Sequence, residues 1–236
     1  MELEISIVVP IFNEEENISM LSSAIQSAMV DVVEPYECIF VDDGSTDCSN
    51  KEMRKVCKEY NNFRIVRLRE NCGQTAALDA GFKASRGEYI VMMDADLQND
   101  PFDIPLLIAN VKGYDMVYGW RFKRQDSFVK KVSSKVANFV RNKLTDENIK
   151  DIGCSLKIFR RDCLRKIKLY NGMHRFLPTL FKMEGFSVKE VKVKHNPRIY
   201  GKSKYNIRNR IFKSFLDLLA VRWMKKRNLY YEEKDE

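Results

Sequence analysis

Apolar, strand-like runs alternate with helix-like segments in the first hundred residues, and this alternation constrains the fold more than any other feature. Four runs each lead into a polar loop: Glu4–Pro10, Cys38–Val41, Phe63–Leu68 and Glu88–Met93. Between the first two, apolar residues recur at helical spacing: Ile18, Leu21, Ile25 and Met29. Strands that alternate with helices predict an α/β fold, with a doubly wound, mostly parallel sheet flanked by helices.

The loop after the fourth run carries the residues most typical of a metal site. Residues two apart in an extended chain project to the same side, so we expect Asp94, Asp96 and Gln98 to face one way. Two carboxylates and an amide oxygen suit Mg²⁺ or Mn²⁺, above all a metal that completes its shell with ligand phosphate oxygens. The alternative is that Asp94 and Asp96 are only turn residues, with Asn99–Pro101 closing the strand.

Polar residues also follow the earlier strands. Asn13 and Glu14 follow the first, and Asp42 and Asp43 follow the second. Ligands of doubly wound sheets bind beyond the carboxyl ends of the strands, so these loops predict one ligand site together with Asp94 and its neighbours. For Asp42 and Asp43 the alternative is a tight turn with a helix N-cap. The third loop, which ends at Gln74, could equally be a simple connection.

The two halves of the chain carry net charges of opposite sign. Residues 1–120 carry 10 Lys/Arg and 21 Asp/Glu, a net −11, whereas residues 121–236 carry 31 and 12, a net +19. The sum is the chain's +8. An acidic half with metal-type carboxylates beside a basic half indicates a metal-complexed ligand and an anionic docking partner. No nucleic-acid-binding motif accompanies the basic residues, so we expect no nucleic acid and favour an anionic membrane surface.

The basic half contains two segments that read as amphipathic helices. In the first, 121–143, the apolar residues at helical spacing are Phe128, Val132, Val136, Phe139 and Val140. In the second, 198–227, they are Ile207, Ile211, Phe215, Leu218 and Leu219, with Trp223 near the end. Basic amphipathic helices with aromatic residues are typical of interfacial membrane anchors. The alternative is that both apolar stripes pack on the domain and the charges are solvated.

Other sequence features indicate the cellular compartment of the protein. Six cysteines without a C-x-x-C pair, and only two histidines, argue against a zinc cluster or a disulfide framework and fit the cytosol. The acidic N-terminus enters a strand at once, so we expect no signal peptide. The apolar stretch 215–221 falls short of the roughly 20 residues that cross a bilayer. We therefore expect a peripheral protein at the cytoplasmic face of a membrane, without a transmembrane segment.

The ordered set V-V-P-I-F-N-E-E-E-N, V-D-D-G-S-T-D, N-C-G-Q and D-A-D-L-Q-N-D-P resembles the family 2 glycosyltransferases with a GT-A fold. The resemblance is strongest to the polyprenyl-phosphate branch. That branch includes dolichyl-phosphate mannosyltransferases, bactoprenol glucosyltransferases and undecaprenyl-phosphate 4-deoxy-4-formamido-L-arabinose transferases. The resemblance continues through R-Q-D-S, D-I-G-C-S-L-K-I-F-R, H-R-F-L-P and R-I-Y-G-K-S-K-Y, and so covers nearly the whole chain.

The resemblance implies a division of the chain and a role for each motif. Residues 1–204 would form the GT-A domain, with a nucleotide-sugar and metal half (1–120) and an acceptor half (121–204). Residues 205–236 would form a basic amphipathic helix and tail. The nucleotide sugar, linked to UDP or GDP, would contact Pro10, Asn13, Glu14, Asp42, Asp43, Gln74 and Asp94. Asp96 and Gln98 would bind Mg²⁺ or Mn²⁺, and phosphate groups would be held by Arg121, Arg198, Ser203 and Lys204.

The resemblance also implies inverting transfer of a sugar to a polyprenyl phosphate, with Asp94, Asp96, Arg198 and Lys204 in catalytic roles. Asp151 is a further catalytic candidate, because a hydroxyl acceptor would need a general base. A polyprenyl phosphate is already anionic and would not need a general base. Family members often continue into transmembrane helices, so a partner subunit or a homo-oligomer could supply an anchor. Two alternatives remain: transfer to a saccharide hydroxyl, and a catalytically silent nucleotide-sugar-binding subunit.

Overall fold

A computed structural model describes residues 4–122, 142–144, 149–197 and 207–229, with side chains in the last range from residue 214 onward. Within these ranges the strands are β1 Ile5–Ile11, β2 Tyr36–Asp42, β3 Phe63–Arg67, β4 Tyr89–Met92, β5 Met116–Arg121, β6 Lys157–Arg160 and β7 Val188–Val193. The helices are α1 Ile18–Ala28, α2 Ser49–Glu59, α3 Gln74–Ala84, α4 Ile104–Val111, α5 Arg161–Arg165, α6 Leu177–Met183 and α7 Ile207–Arg227. Short 3₁₀ turns occupy Pro101–Asp103 and Met173–Phe176.

The described strands form one sheet in the order β3-β2-β1-β4-β6-β5-β7. Strands β1 to β4 are mutually parallel, and β5 is parallel to β7. Only β6 runs against its neighbours in this sheet, pairing antiparallel with both β4 and β5. The predicted α/β class with a mostly parallel sheet flanked by helices is thus confirmed. The carboxyl ends of β1, β2 and β4 meet at one edge, where the polar loops begin.

Helices cover both faces of the sheet, which explains why the strands read as continuous apolar runs. Val8 and Val9 are neighbours on β1, yet they belong to different apolar clusters because successive side chains of a strand project to opposite faces. One face packs against α1 and α4, and the other against α3 and α6. Helix α3 lies directly on the sheet at Gly81, where an added Cβ would collide with the side chains of Val8 and Val41. The absence of a side chain at Gly81 therefore lets α3 pack closely on β1 and β2.

Helix α7 packs on the domain through a third apolar cluster. Leu218 and Val221 are buried against a set from the 173–183 region: Met173, Phe176, Leu180 and Met183. At the start of the described side chains, Nη1 of Arg175 donates to Oγ of Ser214 at 3.0 Å. One face of α7 is therefore part of the protein interior.

The opposite side of α7 presents apolar residues to solvent. Phe215 is 45% exposed, Leu219 40% and Trp223 65%, and Leu216 is also exposed. The sequence interpretation placed Leu218 in one stripe with Phe215 and Leu219, and for Leu218 this is wrong. Successive helical residues are rotated by about 100°, so residue 218 lies about 60° to one side of residue 215, toward the domain, and residue 219 lies about 40° to the other side, toward solvent.

Several predictions about the basic half lie outside the described residues. These are the stripe Phe128, Val132, Val136, Phe139 and Val140, and the side chains of Ile207 and Ile211. Among the helices described, none has both the length and the apolar character that crossing a bilayer requires.

Candidate active site

The loops that follow β1 and β2 are bound to each other at the sheet edge. Asn13 adopts a positive φ of 52°, and its side-chain oxygen accepts a hydrogen bond from the Thr46 backbone N–H at 2.8 Å. The backbone N–H of Glu14 donates to Oγ of Ser49 at 2.8 Å. Pro10, in β1, pairs in register with Val41 of β2. The predicted nucleotide residues of the first loop thus lie against the second loop.

Asp42 and Asp43 are buried, and their carboxylates hold the surrounding backbone. Asp42 accepts hydrogen bonds from the Ser45 backbone N–H at 2.9 Å and from Nε of Arg67 at 3.2 Å. Asp43 accepts from the backbone N–H groups of Cys72 and Gly73 at 2.8 and 3.0 Å. Burial raises the pKa of Asp43, and these two hydrogen bonds oppose the shift. The turn interpretation accounts for these contacts, and a nucleotide contact by either residue stays a prediction.

Gln74 connects the third loop to the end of β4. It is the first residue of α3, and its Nε2 donates to Oδ1 of Asp94 at 2.7 Å. The next residue, Thr75, is buried, and its hydroxyl accepts from the Gly172 backbone N–H at 2.9 Å and lies 2.7 Å from Nδ1 of His174. The structure therefore brings two predicted sugar-nucleotide residues together. The residue after Gln74, Thr75, is in contact with His174 of the H-R-F-L-P motif.

The backbone after β4 turns instead of continuing as a strand. The strand ends at Met92, and Leu97 has a positive φ of 58°. The expectation that Asp94, Asp96 and Gln98 share one side of an extended chain is therefore wrong. Asp96 is 8% exposed, and its Oδ1 accepts the Gln98 backbone N–H at 3.2 Å, so this aspartate stabilises the turn. A positive φ is costly for a residue with a side chain, and such strain is common at functional sites.

The oxygen donors in this turn fit a metal that relies on its substrate. No cluster of three or more Asp, Glu, His or Cys able to hold a metal occurs in the part of the chain that the structure describes. Mg²⁺ and Mn²⁺ need no such cluster, because one or two carboxylates together with water and substrate phosphates complete their shell. The carboxylate of Asp96 and the side-chain oxygen of Gln98 are donors of the right chemical class.

Arg121 and Asp151 form an ion pair at the carboxyl end of β5. Nε and Nη2 of Arg121 donate to the two carboxylate oxygens of Asp151 at 2.6 and 2.9 Å. Both side chains are largely buried, with 15% and 6% exposure. Gly153 leaves room for the pair, since an added Cβ would lie 3.0 Å from Nη2 of Arg121. Charge-assisted bidentate pairs are among the strongest protein hydrogen bonds, so the two residues act as one unit.

Lys157 is a site component that the sequence interpretation missed. It is 1% exposed on β6, and its Nζ donates to the Cys154 carbonyl oxygen. Burial lowers the pKa of Lys157, while the nearby Cys154, Asp94 and Asp151 oppose the shift. The available sequence signal was one lysine inside the apolar run 156–159. Period-two alternation would have placed it on a buried face of that strand.

The remaining predicted residues, Arg198, Ser203 and Lys204, lie outside the described residues. Their predicted roles in phosphate binding and catalysis stay predictions. The described chain resumes at residue 207, the start of α7.

The comparison with known families gives this site its context. A family model described as glycosyl transferase family 2 matches residues 6–168, which include all of β1 except Ile5 and every element from α1 to β6. This chain belongs to glycosyl transferase family 2. The matched range includes the candidate site residues described above, from Pro10 to Lys157.

Two relatives place the chain within the family. Dodecaprenyl-phosphate galacturonate synthase of Rhizobium johnstonii is 43% identical over 225 residues, covering 93% of this chain and 66% of the relative. Undecaprenyl-phosphate 4-deoxy-4-formamido-L-arabinose transferase of Proteus mirabilis is 36% identical over 205 residues, covering 86% and 63%. The resemblance to the polyprenyl-phosphate branch is thus confirmed. The chain spans somewhat less than two thirds of the length of these relatives.

Solved structures confirm the fold. Glucosyl-3-phosphoglycerate synthase of Mycobacterium tuberculosis, in complex with Mn²⁺, uridine diphosphate and glucosyl-3-phosphoglycerate, matches with a TM-score of 0.73 at 19% identity, covering 94% of this chain and 80% of that one. The same enzyme with Mn²⁺ and UDP-glucose matches with a TM-score of 0.70 at 20% identity, covering 93% and 79%. At these identities the likeness shows a shared architecture.

Proposed function

We propose that this family 2 member transfers a sugar, with inversion, from a nucleotide-diphosphate sugar to a polyprenyl phosphate. The observation that carries the proposal is the contact between Gln74 and Asp94 at the sheet edge where the loops of β1, β2 and β4 meet. Crevices at this edge bind ligands in doubly wound folds. Two relatives named for transfer to dodecaprenyl and undecaprenyl phosphate support the choice of acceptor.

The state of Asp151 favours a phosphate acceptor over a hydroxyl. Both of its carboxylate oxygens accept hydrogen bonds from Arg121, so accepting a proton would compete with the ion pair. A saccharide hydroxyl needs a base, whereas a phosphate monoester is anionic at neutral pH and attacks unaided. The Arg121–Asp151 unit would then orient the acceptor, with Arg121 directed to its phosphate. The same geometry disfavours the hydroxyl-acceptor alternative.

A divalent cation, Mg²⁺ or Mn²⁺, would be held by Asp96 and Gln98. Such an ion offsets the charge that develops on a leaving nucleotide diphosphate. Mn²⁺ in the structures of the Mycobacterium tuberculosis enzyme supports a metal, although those structures share only the fold. The donor would be linked to UDP or GDP, and Asp94, oriented by Gln74, would contact its sugar-phosphate part.

The acceptor is a membrane lipid, and α7 offers a surface for docking on an anionic membrane at its cytoplasmic face. Phe215, Leu219 and Trp223 are exposed, and near them the helix ends in Lys225, Lys226 and Arg227. Apolar and aromatic side chains beside cations are the composition of helices that lie in the membrane interface. We call Phe215, Leu219 and Trp223 the α7 stripe. A partner subunit or a second copy of the chain could add a further anchor.

The test is a transfer assay with matched acceptors. The chain would be incubated with nucleotide-linked sugars, galacturonate and 4-deoxy-4-formamido-arabinose among them, and with a polyprenyl phosphate, the corresponding polyprenol or a free saccharide as acceptor. We expect a lipid-linked product by mass spectrometry with the phosphate and none with the alcohol. Product on the saccharide but not on the polyprenyl phosphate would favour the hydroxyl-acceptor alternative. No product from any donor, together with intact nucleotide binding, would favour a silent binding subunit.

A further inference from the structure

Lys157 is a fully buried cation where the two halves of the candidate site meet. On β6 it stands in register with Met92 of β4 on one side and Tyr118 of β5 on the other. A lysine is almost never fully buried unless its ammonium is paired, because removing the charge from water is costly. Its surroundings must therefore compensate the charge, and they identify what the charge acts on.

The groups around this ammonium come from three separate segments. Asp94 follows β4, Arg121 ends β5, and Cys154 and Asp151 lie in the loop that leads into β6. The two carboxylates attract the ammonium, Arg121 repels it, and the Cys154 carbonyl accepts its hydrogen bond. Lys157 thus lies between Asp94, predicted to contact the donor, and the Arg121–Asp151 unit, predicted to contact the acceptor.

Holding the loop in place does not by itself require a lysine. The same loop is fixed by the bidentate pair of Arg121 with Asp151 and by the 2.6 Å hydrogen bond from Asn99 to Ser155. The hydrogen bond to the Cys154 carbonyl is one that a neutral amide could also donate. What a neutral residue could not supply is a positive charge that interacts with Asp94 and Asp151.

We infer that Lys157 is a positioning residue whose fixed charge sets the balance of the site between cations and phosphate anions. A buried positive charge favours an anionic diphosphate and opposes the capture of a bare divalent cation by the neighbouring carboxylates. This inference rests on the proposed function for the identity of the two ligands. Its consequence is that removing the charge should change the two affinities in opposite directions.

The experiment titrates Mn²⁺ alone and inorganic pyrophosphate alone into the folded chain, with calorimetric detection. Lys157→Gln removes the charge and keeps an N–H donor for the Cys154 carbonyl, on a side chain one bond shorter. We expect the variant to bind Mn²⁺ at least threefold more tightly and pyrophosphate at least threefold more weakly than the wild type. Lys157→Arg keeps the charge and should keep the wild-type ratio of the two affinities.

Phe159→Leu is the matched control for a packing defect. Phe159 is buried on the same face of β6, two residues from Lys157, and packs against Phe82 and Phe181. A loss of packing should weaken both ligands or neither. If the affinities of Lys157→Gln for Mn²⁺ and for pyrophosphate changed in the same direction, or if this variant did not fold, the inference would be overturned. The proposed function would remain intact. A wild-type chain that binds neither ion would overturn the proposed donor site and the inference with it.

Discussion

The α7 stripe allows a prediction whose size can be worked out from the structure. The perturbation is the double variant Phe215→Ser/Trp223→Ser, which removes the two exposed rings and leaves the buried Leu218 in place. We expect weaker binding to anionic vesicles with unchanged thermal stability. The reason is that the exposed parts of both rings contact solvent in the free protein and lipid in the bound state.

The exposed areas give the expected magnitude. Aromatic side chains offer about 150–250 Å² each, so 45% exposure of Phe215 and 65% of Trp223 leave about 240 Å² of apolar surface. At about 25 cal/mol per Å², complete transfer of this area into lipid would contribute about 6 kcal/mol. Burial of half of this surface in the membrane interface would contribute about 3 kcal/mol, or roughly a hundredfold in binding.

The assay is sedimentation with vesicles of defined anionic lipid content. Wild-type binding should fall as salt is raised, because each basic residue near the surface contributes about 1 kcal/mol that ions screen. The double variant should bind about a hundredfold more weakly at every salt concentration. Nucleotide binding, measured in parallel, should remain at the wild-type level.

Leu218→Ser is the matched control within the same helix. Leu218 is buried in the third apolar cluster, so its loss should lower the free energy of unfolding by about 2–5 kcal/mol. The fraction that stays folded should still bind vesicles. The membrane role of α7 would be refuted if Phe215→Ser/Trp223→Ser melted like Leu218→Ser, or if it partitioned to vesicles as well as the wild type.

Three further predictions concern the site and the fold. Asp96→Ala should lower transfer about a hundredfold or more and remove the Mn²⁺ dependence of nucleotide binding measured by calorimetry; wild-type turnover would refute the metal assignment. Asp151→Asn should keep at least about tenfold more activity than Asp96→Ala on polyprenyl phosphate, since no general base is needed; an equal loss would favour a hydroxyl acceptor. Burial alone would raise the pKa of Glu37, but hydrogen bonds from Arg64 and Ser6 hold it below the ordinary 4.5. The stability this provides is present above pH 4.5 and is lost as the pH falls through the lowered pKa. Urea denaturation should therefore find Glu37→Gln less stable by about 1–3 kcal/mol at pH 7, with the difference shrinking in acid; a constant difference would contradict this pKa direction.

Local periodicity was sufficient to predict the parallel part of the sheet. The apolar runs that became β1 to β4 each lie between a polar loop and a helical pattern, and these are short-range features. The antiparallel β6 could not be predicted in the same way. Its pairing with β4 joins Met92 to Lys157 across 65 residues, and nothing in either segment encodes the partner.

The site divides along the same line. Residue types at the ends of β1, β2 and β4 predicted the loops, but the contacts within them depend on tertiary structure, as with Gln74 and Asp94. On α7, Leu218 is buried and its neighbour Leu219 is exposed, and the helical spacing of the apolar residues does not distinguish the two. Lys157 was missed because a charged residue is expected at the surface, and only the crossing of three segments compensates its burial.

The late position of β6 in the chain also has a consequence for the order in which the protein can be completed. During synthesis, β1 to β4 can assemble as soon as they emerge, but the edge of β4 beside Asp94 then has no partner. The 65 residues from Met93 to Lys157 take on the order of 3–13 s to add at about 5–20 residues per second. For that interval an apolar parallel edge is open to pairing with other chains. A fragment that ends at residue 122 would keep this edge open permanently, so the donor half should aggregate when it is produced without the half that carries β6.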